Sequence, residues 1–110
     1  MMDELIQASA WLRSEGNLSP LSQEVRRRFP GKTVFPVRWL PEQGEDIHWL
    51  LVGPTEVARI EIRRELFGVD GVPSVEIIDL QTYRSGSLSK TGRRMLDAAV
   101  ELLSMAGDLR

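Results

Sequence analysis

The sequence predicts an α+β fold with two N-terminal helices, a four-stranded antiparallel meander sheet, and a C-terminal helix packed on one sheet face. Three observations carry that expectation. Four strand-like segments follow one another in the middle of the chain, the connections between them are too short for a crossover helix, and amphipathic stretches lie on either side. At 110 residues the chain falls within the usual size of one domain, so residues 1–110 are expected to share one core.

From Asp3 to about Ser14, Leu5, Ala8, Trp11 and Leu12 recur at helical spacing, with Asp3 and Glu4 at the positive end of the helix dipole. Trp11 is expected in the core. Glu15-Gly16-Asn17 stops this helix, and Ser19-Pro20 reads as an N-cap followed by proline at the first helical position. Leu21, Val25 and Phe29 then repeat at a spacing of four, until Pro30-Gly31 ends the second helix.

Thr33 to Leu40 reads as a strand through Val34, Phe35, Val37 and Trp39, with Pro36 marking an edge position or a bulge. Residues 41–46 read as a polar loop. Ile47-His48-Trp49-Leu50-Leu51-Val52 is almost continuously apolar, the pattern of a central strand covered on both faces. Gly53-Pro54-Thr55 turns the chain into Glu56 to Glu65, where Arg59, Glu61 and Arg63 share one face and Ala58, Ile60 and Ile62 the other. Residues 68–73 form the next turn, and Ser74 to Tyr83 the fourth strand. After a Ser- and Gly-containing release, the last helix carries a stripe of Met95, Ala99, Leu102 or Leu103, and Ala106, widened by Leu96 and Val100. The helices are expected mainly on one sheet face, with the Arg59/Glu61/Arg63 row on the other.

Composition narrows the function. The hydrophobic and charged fractions, 42% and 27%, are those of a globular chain. A net charge of -2 argues against a general nucleic-acid binder, whose affinity comes from surplus Lys and Arg facing phosphates. There is no cysteine, which excludes disulfides, thiolate nucleophiles and Cys-ligated metals. The acidic N-terminus does not read as a secretory signal, and no apolar run approaches the roughly 20 residues of a membrane span, so a cytoplasmic location is expected.

Few residues carry recognisable chemistry. The segment Ser85 to Arg94 places Lys90, Arg93 and Arg94 around a helix start, where backbone N–H groups can face an anion. It lacks the glycines of a P-loop at the required positions, and capping serines with exposed basic residues explain it without a ligand. His48 is the single histidine, and Asp46 or Asp79 is the carboxylate that would orient it as a base. Glu42, Glu45 and Asp46 cluster without EF-hand spacing. Arg26, Arg27 and Arg28 fan around the second helix and complement its negative end, while a patch with Lys32 is the alternative. No cofactor motif or nucleophile elbow is present.

The absence of site chemistry favours a small non-enzymatic interaction module, an adaptor, chaperone, inhibitor or regulatory subunit, acting as a monomer or a homodimer. Its protein partner is expected on a sheet face or edge around Trp39, Trp49, Arg59 and Arg63, with the last helix as a dimer seam. An anion or nucleic-acid binder using Lys90, Arg93 and Arg94, and a small enzyme using His48, are the alternatives.

Overall fold

The computed structural model describes residues 2–63 and 73–107. In chain order these form α1 (Met2–Arg13), α2 (Pro20–Arg28), β1 (Phe35–Glu42), β2 (Glu45–Gly53), β3 (Glu56–Arg63), β4 (Ser74–Asp79), α3 (Leu80–Arg84) and α4 (Lys90–Gly107). The strands make one antiparallel sheet in the order β1-β2-β3-β4, as a meander requires. The predicted turn at residues 68–73 lies outside the described residues except for Pro73, as do Arg64 and Glu65 at the predicted end of β3.

The core is built outward from β2. Ile47, Trp49 and Leu51 point to one face, where they pack with Phe35, Val37 and Val57 of the sheet, Leu96, Ala99 and Leu102 of α4, and Leu80 and Tyr83 of α3. Leu50 and Val52 point to the other, with Ala58, Ile60 and Ile62 beneath Leu21 and Val25 of α2. The helices therefore cover both faces, not mainly one. The reason lies in the alternation of β2 and β3: each strand presents apolar side chains on both sides, and each set needs a helix above it. α1 serves both layers, since Leu5 joins the α4 side and Leu12 the α2 side.

The buried stripe of α1 is Leu5, Ser9 and Leu12, at spacings of four and three. Trp11 is rotated about 100° from Leu12 and lies 56% exposed, contrary to the core position expected for it. The start of α2 follows the sequence reading closely. Ser19 Oγ accepts from the Ser22 amide at 3.2 Å, Pro20 occupies the first turn, and the chain leaves the helix through Gly31 at φ 72°.

The arginine triplet at the end of α2 is committed within the fold. Arg26 Nη1 donates to the carbonyls of Ser14 at 2.6 Å and Asn17 at 2.9 Å, tying down the α1–α2 connection. Arg27 and Arg28 both donate to Glu24, a carboxylate only 5% exposed whose burial requires such partners.

Two element boundaries differ from the sequence reading. The polar stretch 41–46 is mostly strand, because β1 and β2 close through Gln43 and Gly44 alone, with Gly44 at φ 84° supplying the left-handed backbone such a tight turn needs. The fourth strand ends at Asp79 rather than Tyr83. The Asp79 carboxylate accepts from the amides of Gln81 at 2.9 Å and Thr82 at 3.4 Å, which starts α3 and turns Leu80 and Tyr83, three apart, into the core.

The layered core makes a paired prediction. Leu50 is fully buried in the central strand, so Leu50→Ala should cost about 2–5 kcal/mol in urea unfolding, whereas Trp11→Ala should stay within about 0.5 kcal/mol. Comparable losses at the two positions would contradict the face assigned to α1.

Candidate functional site

The β1–β2 hairpin holds the most exposed aromatic of the sheet. Trp39 stands opposite His48, and their rings stack with centroids 6.4 Å apart and planes 8° from parallel. The indole N–H donates to Asp46 Oδ1 at 3.2 Å. Trp39 is nonetheless 62% exposed. The indole is thus fixed by a ring on one side and a carboxylate at its edge while most of its surface meets solvent.

Trp49 sits on the opposite sheet face, so the two tryptophans expected near each other are separated by the sheet. A β-bulge between Pro36 and Arg38 is the cause. It sets both Val37 and Arg38 against Trp49, Val37 entering the α4 core and Arg38 stacking its guanidinium 4.7 Å from the Trp49 ring centroid. Arg59, directly across on β3, lies 5.7 Å from the same centroid. Trp49 is only 9% exposed and acts as a platform for two cations.

Around that platform runs the charged row of β3. Arg59 donates to Glu61 on the same strand, Glu76 of β4 stands opposite Arg59, and the exposed Arg63 stands opposite Glu45. The row shares its face with α4 and so does not lie opposite the helices as expected, because Arg59 pairs with Trp49, whose ring packs in the α4-side core. Of the four residues expected to form one surface, Trp49, Arg59 and Arg63 share a face and Trp39 lies on the other. Arg38, which the sequence reading did not single out, belongs with the first three; only the displacement of one residue at the Pro36 bulge brings it there.

His48 is half-buried. Burial pushes its imidazole below the ordinary value of 6.5, and the nearby Asp46 carboxylate opposes that shift to a smaller extent. Asp79 cannot serve it, being engaged at the α3 cap and aligned with Glu56, four positions along β3 from the Ile60 that faces His48. The pair that remains, His48 and Asp46, is organised around Trp39.

At the start of α4, Ser89 Oγ accepts from the Gly92 amide at 3.0 Å, filling the cap position. A cleft of about 290 Å³ lies beside this turn, between Val37 and Arg38 on β1 and Ser87, Leu88, Ser89, Thr91, Gly92 and Met95. Lys90, Arg93 and Arg94 are not among its lining residues, so the structure does not gather the basic trio into it. Among the described residues the buried Tyr83 hydroxyl has no hydrogen-bond partner, and burial pushes it above its ordinary value of 10, with the charge of Arg38 opposing.

Among the described residues no group of three or more His, Asp and Glu is placed to hold a metal ion, and no helix is long and apolar enough to cross a membrane. Comparisons with protein families, curated proteins and solved structures gave no match to this chain.

The His48 environment has a pH signature. Because the folded value lies below that of the unfolded chain, the unfolded state binds more protons in the window between them. Stability is therefore complete above pH 6.5 and falls as pH drops through that window. His48→Gln should remove this part of the slope, as read by thermal unfolding at a series of pH values; an unchanged slope would contradict the burial of the ring.

Proposed function

We propose that this chain is a non-enzymatic protein-interaction module that engages a protein partner through its sheet, with Trp39 as the anchor. One observation carries the reading: a tryptophan 62% exposed yet held by the His48 stack and the Asp46 hydrogen bond. Exposing an indole to water is unfavourable by the area it leaves uncovered, and fixing it in advance lowers the entropy lost when a partner closes over it. Tryptophans at the centre of interfaces contribute disproportionately to affinity for these reasons.

The chemistry around the indole describes the partner. Pro41 and Asp46 share the face of Trp39, while Glu42 and Glu45 stand on the other face opposite Arg63, so the complementary surface is an apolar recess that closes over the indole. The single imidazole supports binding rather than catalysis, since its ring face is taken up by the stack that holds Trp39.

The test is capture from native cell extract with nuclease present. A stoichiometric protein companion should be recovered by the wild type and by Arg94→Ala, and lost at least tenfold with Trp39→Ala at unchanged melting temperature, since about 1.4 kcal/mol of binding energy corresponds to tenfold. Equal recovery by Trp39→Ala would sink the anchor assignment. Recovery abolished by nuclease would point to nucleic acid instead.

A further inference from the structure

The two edges of the sheet are built differently. β1 carries Pro36 and Pro41, is interrupted by the bulge after Pro36, and has α1 alongside its first residues, where Ile6, Ser9, Ala10 and Arg13 border a cleft with Thr33 and Phe35. Prolines cannot donate to a neighbouring strand and a bulge breaks the ladder, so this edge resists an added strand. β4 has neither device. Its six residues, Ser74 to Asp79, contain no proline and follow β3 in unbroken register from Glu56↔Asp79 to Glu61↔Ser74.

Among the described residues β4 pairs only with β3. Every second backbone N–H and C=O along it therefore faces away from the sheet. Its side chains are open as well: Ser74, Glu76, Ile77 and Asp79 are exposed, Ile77 by 48%. A strand of this kind, short of its own protection, is the usual acceptor for an extended segment of another chain.

Charge selects the occupant. Glu76 projects on the Trp49 face opposite Arg59, but the guanidinium of Arg59 bonds Glu61, and Glu76 has neither a hydrogen bond nor an ion pair among the described residues. On the other face, Ile77 and the partly buried Val75 offer apolar surface at the rim of the α2 layer. The four middle residues of β4 thus present Glu76 with the half-buried Ile78 on one side and Val75 and Ile77 on the other. A second copy fits less well: β4 carries Glu76 and Asp79 and no base, so a second β4 offers Glu76 no counter-charge.

We propose that β4 accepts an extended segment of a partner protein as a fifth strand, the segment placing a basic side chain against Glu76 and an apolar one beside Ile77. This rests on the reading of the chain as a protein-interaction module but uses a surface distinct from Trp39. Backbone bonds along β4 would supply affinity, and the alternation of base and apolar residue would supply register.

The experiment uses the full chain with two soluble synthetic peptides, one alternating lysine and valine, the other glutamate and valine. Amide NMR with the lysine peptide should shift β4 resonances and slow exchange of its outward amides, with the β1–β2 hairpin undisturbed. Glu76→Lys, checked for folding by spectral dispersion, should lower affinity for the lysine peptide and raise it for the glutamate peptide, each by about fivefold, the scale of a like against an opposite cross-strand pair. Equal affinities for the two peptides, or shifts confined to the Trp39 hairpin, would overturn the proposal. So would outward β4 amides already protected in proportion to protein concentration without peptide, since a second copy would then hold the edge. Absence of peptide binding while capture still depends on Trp39 would remove strand addition and leave the hairpin reading intact; the converse pattern would remove the hairpin alone.

Discussion

Burial of β2 on both faces is the constraint on which the other elements depend. Leu50 and Leu51 are consecutive and both fully buried, so the strand requires a helix layer above and another below. That requirement places α2 on one side and α4 on the other, and it demands that β1 and β3 continue both layers as neighbours. It also sets where the protein is left open. β2 begins with Glu45, Asp46 and His48 around the buried Ile47, and the polar residues of this end leave Trp39 exposed beside them.

One extra residue in β1 decides which surfaces exist there. In a regular strand Val37 and Trp39, two apart, would share a face, and Trp39 would join Trp49 on the α4 side. The bulge doubles Val37 and Arg38 against Trp49, so the parity of the strand reverses and Trp39 emerges beside His48 on the other face. The same reversal delivers Arg38 to the Trp49 ring. Proline is compatible with this break because it has no amide to lose from the ladder. Two separate aromatic sites follow from a single local irregularity: a buried indole between cations and an exposed indole on an imidazole.

How far the sequence is legible follows from the range of the forces involved. Short-range signals read true: Ser19-Pro20 as the start of α2, the apolar run of β2, Pro36 as a mark of an edge or bulge, and the charged row of β3 on one face. Errors arise where a long-range choice competes with the local pattern. Tyr83 continues an apolar run that reads as strand, but the Asp79 carboxylate can cap a helix, and the core on the α4 side rewards turning Leu80 and Tyr83 inward together. Trp11 and Leu12 are equally apolar neighbours, and only the placement of α1 between two layers decides that Leu12 enters. The bulge was anticipated as one of two outcomes at Pro36, yet its effect on Trp39 and Arg38 depends on which residue is doubled, which no local propensity encodes.

The distribution of partners among the charges shapes what can be recognised. Several basic residues are taken up by partners within the chain: Arg26 by the α1–α2 connection, Arg27 and Arg28 by Glu24, Arg59 by Glu61, and Arg84 by Asp97 at 2.6 Å. The exposed or half-exposed ion pairs among them, Arg59–Glu61 and Arg84–Asp97, stabilise the fold little, about 0–1 kcal/mol each. They nevertheless reduce the positive charge available to an outside ligand. Acids stand at the two margins of the sheet, Glu42 and Glu45 at the hairpin, the latter opposite Arg63, and Glu76 on β4. The overall charge of -2 is small, but its arrangement is not neutral. Each open margin holds an exposed apolar group, Trp39 or Ile77, with acids on the opposite sheet face, and that combination favours a partner offering apolar and basic groups over a phosphate-rich one.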